Sequence, residues 1–347
     1  MDGYLQKIKK WSNIALRAHS LPPFLIVFVT NKCNLRCRHC FYHENIQNRK
    51  LEDLSITEFE NLSRQFGKLY NLLISGGEPF LREDLAEICE LFYRNNSVEK
   101  IAIPTNGFTP GASCEATRRI LDTLQGIRLE INVSMDGLED VHDDIRGVKG
   151  SFNRAVESCK LLLDLKERYR NLKCFVATTI SNVNFDQIPL LKRFVKENLR
   201  GIDNHRFGFF RGTCKDEHLF FPQNRLKEVK TIINGNTKKV FDFHLGNVFL
   251  NAKLAILKQG RQVVKCAAGE LMGVIDNNGD VRLCELLKPI GNIRQDSFHD
   301  IWHSEAADLQ RKSISQGECY CTHECFIAPS MIYQPKNYFK AIRYCLK

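Results

Sequence analysis

The chain has 347 residues, 43% of them hydrophobic and 26% charged, which is enough apolar material for one large or two medium domains and excludes a disordered chain. Its net charge of +10 is spread along the sequence rather than blocked, so it fits an acidic partner and an ordinary solvated surface equally well. There is no run of about 18 apolar residues and no signal-peptide core at the N-terminus; the sequence reads as cytoplasmic, with no membrane association, and most of its fourteen cysteines fall in two short clusters that point to metal rather than disulfides.

In chain order, residues 1–20 read as an N-terminal helical segment. From residue 24 a unit repeats, consisting of a short β-branched or aromatic run, a polar loop and a helical stretch. The apolar runs are Leu25–Val29, Leu72–Ser75, Ile101–Pro104, Leu129–Ser134, Phe175–Ile180 and Arg206–Phe210. They are nearly continuous in apolar character, as strands buried on both faces must be. Between them lie helix candidates at Thr57–Leu69, Glu83–Arg94, Cys114–Leu124, Phe152–Arg168 and Asp186–Asn198. Six β-then-α units predict a parallel, TIM-like partial barrel over 21–215, open unless further strands close it, with its chemistry on the loops leaving the C-terminal strand ends. A helical connector is expected over 216–260, with helices near Asn224–Ile233 and Val248–Leu257, followed by a small cysteine-rich domain over 261–347.

The first strand runs into Cys33, Cys37 and Cys40, spaced C-x3-C-x2-C. Three thiolates within eight residues can converge on one iron–sulfur cube and leave its fourth iron without a protein ligand, the open position that a catalytic metal needs. Zinc is the alternative, although zinc sites usually show paired C-x2-C knuckles. The second strand ends in Gly76-Gly77-Glu78-Pro79, where glycines permit close backbone approach and Glu78 can accept a hydrogen bond from an ammonium group. The third and fourth strands end in Asn106-Gly107 and Ser134-Met135-Asp136-Gly137; as residues these are also ordinary turn formers. Arg146 is expected to tether its loop and His142 to be structural.

The C-terminal segment contains Cys266, then Asn277-Asn278-Gly279-Asp280 between β-rich runs, then Cys284. That pattern predicts a hairpin bringing the two cysteines together. Cys319, Cys321, Cys325 and Cys345 follow, more thiols than one cluster requires, and the residues alone do not separate zinc from iron–sulfur. Cys89, Cys114, Cys159, Cys174 and Cys214 have no partners in the pattern and read as small hydrophobes.

The C-x3-C-x2-C loop, the Gly-Gly-Glu strand end one βα unit later and the His142–Gly147 stretch resemble the radical S-adenosylmethionine (radical SAM) superfamily. The Cys266–Gly279–Cys284 spacing and later cysteines resemble its SPASM and twitch extensions, although the full SPASM pattern needs a C-x2-C pair that is missing here. The resemblance implies a [4Fe–4S] cluster on Cys33, Cys37 and Cys40 whose open iron chelates S-adenosylmethionine, so that reductive cleavage gives a 5′-deoxyadenosyl radical. It implies contacts to that cofactor from Gly76, Gly77, Glu78, Asn106, Ser134, Asp136 and Arg211. It further implies one auxiliary [4Fe–4S] cluster, a flavodoxin- or ferredoxin-type electron donor, and oxidation of a substrate. About 30 residues precede Cys33, which favours a small molecule over a peptide gripped by a fused domain; peptide modification and epimerisation are the alternatives. A zinc-binding nucleic-acid module, the non-enzyme alternative, leaves the six βα units and the Gly-Gly-Glu loop unexplained.

Overall fold

A computed structural model describes residues 12, 14, 21–48, 50–212, 216–234, 245–334 and 336–337. The expectations for most of 1–20, for Cys214 and for Cys345 lie outside the described residues.

Six parallel strands form the expected partial barrel: β1 (Phe24–Phe28), β2 (Asn71–Ser75), β3 (Lys100–Thr105), β4 (Arg128–Ser134), β5 (Leu172–Ile180) and β6 (Asn204–Phe209). They pair in sequence order, and Phe28 lies beside Ser75 so that the cysteine loop and the Gly-Gly-Glu loop leave the sheet together. The outer layer is helical: α1 (Ile56–Ser63), α2 (Leu85–Asn96), α3 (Pro110–Thr123), α4 (Glu139–Arg146), α5 (Ser151–Arg168) and α6 (Ile188–Asn198). The side chains of Ile131, Val133, Leu162 and Ile120 are wholly buried in the core between sheet and helices.

α1 begins with a capping box in which Ser55 and Glu58 satisfy each other's backbone N–H groups. It stops at Ser63, six residues earlier than the apolar pattern predicts, because the buried Asn96 amide donates to the carbonyls of Ser63 and Phe66, both at 2.8 Å. Those carbonyls are thereby removed from any continuing helical ladder.

The connector contains α7 (Leu226–Asn234) and α8 (Leu245–Gln259), close to the two expected helices. Beyond it the chain returns to the same sheet. β7 (Met272–Ile275) lies parallel to β1, with Phe24 opposite Met272, and continues through the expected hairpin into β8 (Asp280–Arg282) and then β9 (Gly291–Asn292). The sheet order β6-β5-β4-β3-β2-β1-β7-β8-β9 is therefore open, extended at the β1 edge rather than closed. The chain then forms α9 (Phe298–Trp302), α10 (Glu305–Gln316) and α11 (Glu324–Ile332). Among the described residues, no helix is long and apolar enough to cross a membrane.

Candidate cluster and cofactor site

The cysteine loop is held from three sides. Arg36 N donates to Arg146 O at 3.1 Å and Arg38 N to Ile145 O at 2.9 Å, docking the loop on the C-terminus of α4. Gly147, at φ +70°, is the left-handed residue that ends this helix, and a Cβ there would stand 2.5 Å from Arg36 O. Arg146 Nη1 also lies 3.8 Å from Cys37 Sγ, so Arg146 tethers the loop and gives a thiolate a charged donor.

From the second side, Asn106 Nδ2 donates to Asn34 Oδ1 at 2.7 Å and lies 3.9 Å from Cys33 Sγ. From the third, Asp53 accepts from Thr30 Oγ1 at 2.6 Å, from Asn31 N at 3.1 Å and from Asn277 Nδ2 at 2.8 Å. Tyr42 Oη donates to Asn277 Oδ1 at 2.8 Å and Leu54 N to Asn277 O at 2.7 Å. Asn277, expected only as a hairpin turn residue, is fully buried and joins the first cysteine loop to the C-terminal segment.

Gly76 and Gly77 serve close approach, but the surface they admit is the cysteine loop itself. Gly77 N donates to Thr30 O at 2.8 Å and Glu78 N to Lys32 O at 2.8 Å. A Cβ on Gly77 would lie 2.1 Å from Lys32 O and 3.1 Å from Cys33 Cβ, and one on Gly76, at φ +144°, 2.5 Å from Thr30 O. Backbone cannot yield cheaply at such distances. Gly77→Val is accordingly expected to lower iron bound at Cys33, Cys37 and Cys40 as well as affinity for S-adenosylmethionine. Iron analysis of the purified variant checks this; full iron content would return the two glycines to a purely ligand-facing role.

Glu78 is also turned inward. It is 1% exposed and accepts from Asn106 N at 2.7 Å, Thr105 Oγ1 at 2.8 Å and Phe80 N at 3.3 Å. Its carboxylate thus positions the β3 end. Burial pushes its carboxyl up to about 7 despite these donors. A carboxyl that binds its proton more tightly when folded stabilises the protein below its unfolded value near 4.5 and loses that contribution as pH rises through about 7. Glu78→Gln is therefore expected to flatten a decline of order 3 kcal/mol in unfolding free energy between pH 4.5 and 7, measured by urea denaturation across that range.

Asp136 is fully buried, with Arg146 Nη2 at 2.6 Å and Thr179 N donating at 2.8 Å. Its own N–H donates to His142 Nδ1 at 3.1 Å, and burial holds His142 down to about 4, neutral at physiological pH. Ser134 stands at the end of β4, two residues from Asp136. His39, which carries no motif signal, is 3.8 Å from Asp136 Oδ2 and is also held down to about 4 by burial.

Arg211 leaves β6 and is committed to the C-terminal segment. Its guanidinium lies 4.3 Å over the Phe41 ring, and its Nε is 3.0 Å from Glu285 Oε2, an oxygen that His323 Nδ1 approaches at 3.3 Å. Phe41 follows Cys40, Glu285 follows Cys284, and His323 sits between Cys321 and Cys325. This buried group therefore ties the two cysteine regions together, and neither Glu285 nor His323 had any signal in the sequence.

In the C-terminal segment Cys266, Cys284, Cys319 and Cys321 line one cavity with apolar walls that include Val264 and Ile314. Cys325 is not among the side chains lining that cavity, and Glu285 and Arg211 act electrostatically on it as they do on Cys321. Burial raises all four cavity thiols, Cys266 to about 12; what suits them to a metal cluster is that four thiols gather at one cavity, where a bound cation would compensate their ionisation. In the first loop, burial pushes Cys33 to about 11, with Cys37, Glu78 and Cys40 adding to it. Among the described residues no three Cys, His, Asp or Glu side chains converge on a single-ion position, and a cube, which takes its cysteines one per iron, asks for wider spacing.

Comparison with known proteins gives two family matches. The radical SAM superfamily model matches residues 27–195, and SPASM, an iron–sulfur cluster-binding domain, matches residues 266–326. The antilisterial bacteriocin subtilosin biosynthesis protein AlbA of Bacillus subtilis is 24% identical over 80% of this chain, which spans 58% of AlbA's length. The AdoMet-dependent heme synthase of Methanosarcina barkeri is 25% identical over 84% of each chain. Among solved structures, anSMEcpe with bound AdoMet and Cp18Cys peptide aligns with a TM-score of 0.59 at 16% identity, over 92% of this chain and 96% of that one.

Proposed function

The chain belongs to the radical SAM superfamily with a C-terminal SPASM domain, and from that premise we propose that it abstracts a hydrogen atom from an organic substrate and oxidises it with the help of its auxiliary iron–sulfur centre. When bound, a [4Fe–4S] cluster with S-adenosylmethionine supplies the reductive cleavage that makes the abstracting radical, and the auxiliary cluster supplies an electron acceptor.

The residues have separable roles in this reading. Cys33, Cys37 and Cys40 hold the first cluster; Arg146 and Asn106 present N–H donors to Cys37 and Cys33, a contact that tunes a cluster's potential. Gly76, Gly77, Ser134 and Asp136 stand at the strand ends where S-adenosylmethionine is placed by the family resemblance, with Glu78 holding β3 in register. Lys32 and Arg36 are exposed on the cysteine loop, a cationic rim suited to an acidic flavodoxin- or ferredoxin-type donor.

The observation that carries the oxidative reading is the cavity lined by Cys266, Cys284, Cys319 and Cys321. Four protein thiols complete a cluster's ligation, leaving it fit for electron transfer rather than for binding substrate through iron. The Arg211–Glu285 pair stands between the two cysteine regions. Anaerobically reconstituted protein should bind about eight irons per chain and form 5′-deoxyadenosine with dithionite and S-adenosylmethionine; about four irons would remove the auxiliary acceptor and with it the oxidative outcome.

Two substrate readings have support. A small molecule fits the likeness to a heme synthase, whereas peptide modification fits the likeness to AlbA and to anSMEcpe, solved with a peptide. Stimulation of 5′-deoxyadenosine formation by members of each class separates them.

A further inference from the structure

The barrel lumen holds a surplus of positive charge that neither cluster site uses. Along β4, Glu130 and Asn132 alternate with Leu129, Ile131 and Val133, which are wholly buried against the helices, so the two polar side chains face the lumen. The Glu130 side chain, 2% exposed, meets three cations: Arg128 Nε at 2.9 Å, Arg206 Nη2 at 3.1 Å and Lys100 Nζ at 3.6 Å. Arg128 is 56% exposed at the start of β4, so within the lumen Arg206 and Lys100 face one carboxylate and leave one positive charge in excess among the described residues. Burial already holds the Lys100 ammonium below its ordinary value despite the carboxylate beside it.

The surplus is accessible and shaped. Arg206 and Lys100 keep 33% and 34% of their side-chain surface exposed, so neither is sealed in the core. Arg206 lies 3.5 Å over the Phe175 ring, and its Nη1 donates to Asn132 Oδ1 at 2.7 Å. That fixes the guanidinium as a flat plate on an aromatic floor beside a carboxamide whose Nδ2 has no hydrogen-bond partner among the described residues. Lys100 is within electrostatic reach of Cys325, which places the group between the barrel and the C-terminal segment. A rigid guanidinium with further N–H donors beside it matches the planar, two-oxygen geometry of a carboxylate.

We propose that the substrate carries a carboxylate, and that Arg206, with Asn132 and Lys100 beside it, binds that group in the barrel lumen. The proposal rests on reading the lumen as the substrate site, and it deepens that reading by naming the chemistry recognised. A small organic acid and an acidic side chain of a peptide both offer this group.

The test uses the full-length holoenzyme and two pairs of fluorescent probes: 2-naphthoate against 2-naphthamide, and a blocked pentapeptide with one glutamate beside a tryptophan against its glutamine analogue. At least one acid should bind about tenfold more tightly than its neutral partner, the equivalent of one charge-assisted hydrogen bond, and the pair showing this identifies the source of the carboxylate. Arg206→Gln should abolish the preference and Arg206→Lys restore part of it. Glu130→Gln should strengthen it, because the internal competitor for the cations loses its charge, an effect that damage to the fold does not produce. Equal binding of acid and neutral probe in both pairs, no binding of either acid, or a preference unmoved by Glu130→Gln overturns the proposal. Wild-type 5′-deoxyadenosine formation in the same preparation reports separately on the radical chemistry: its presence without acid preference sinks this proposal alone, and acid preference without it sinks the radical reading alone.

Discussion

Replacing Cys33, Cys37 and Cys40 together by Ala is expected to remove about four irons per chain and to bring 5′-deoxyadenosine formation down to the assay background, at least a thousandfold loss on the scale of removing an essential reacting group. The expectation follows from where the other thiols are. Cys89, Cys159 and Cys174 are wholly buried in the hydrophobic core between sheet and helices, closed off from the first loop by their packing. Cys266, Cys284, Cys319 and Cys321 are already gathered at the other cavity, so nothing can substitute for the first loop. The triple variant should still fold, because the loop's backbone is held by Arg146, Ile145 and Asp53 through bonds that do not involve the thiols. Near-normal iron in the auxiliary site, read by absorbance and iron analysis, would confirm that the fold survived. Undiminished cleavage of S-adenosylmethionine by this variant would refute the assignment of the first cluster.

The double variant Cys319→Ala with Cys321→Ala is expected to lose the other four irons, and with them product, while cleavage of S-adenosylmethionine persists. Cys325→Ala should behave differently. Cys325 is not among the residues lining the four-cysteine cavity, so its loss should leave iron content near wild type and reduce product by no more than about tenfold. The contrast is informative because sequence spacing treats the three cysteines alike. Iron, 5′-deoxyadenosine and product measured side by side on both variants decide it. If Cys325→Ala loses an entire cluster, the ligand set read from the cavity is wrong; if the double variant turns substrate over at the wild-type rate, the auxiliary cluster is no electron acceptor.

Much of this protein is written in local pattern. Strands buried on both faces must be nearly continuous in apolar side chains, so the run Leu25–Val29 announces itself, and the parallel order follows because each strand is separated from the next by a helix. Three thiols at C-x3-C-x2-C are confined to one short loop wherever that loop is placed, since their spacing is covalent. The Asn-Asn-Gly-Asp turn likewise specifies its hairpin through Gly279, at φ +90°.

What the sequence did not disclose are partnerships made across large separations. Asn277 in a turn gives no sign that it will be buried against Asp53 and Tyr42, nor does β7 show that it will pair with β1 and extend the barrel sheet. The Gly-Gly-Glu loop was legible as a site, but only the fold shows that its glycines admit Lys32 O and that Glu78 faces Thr105 and Asn106. Arg211 was legible as a cation at a strand end, and only packing shows Glu285 as its ion-pair partner. The same holds for which cysteines share a cavity and for the three cations around Glu130. The physical reason is that covalent spacing and side-chain periodicity determine which groups a segment offers and on which face, whereas the partner of a buried charge or thiol is decided by which distant segment fills the space opposite it.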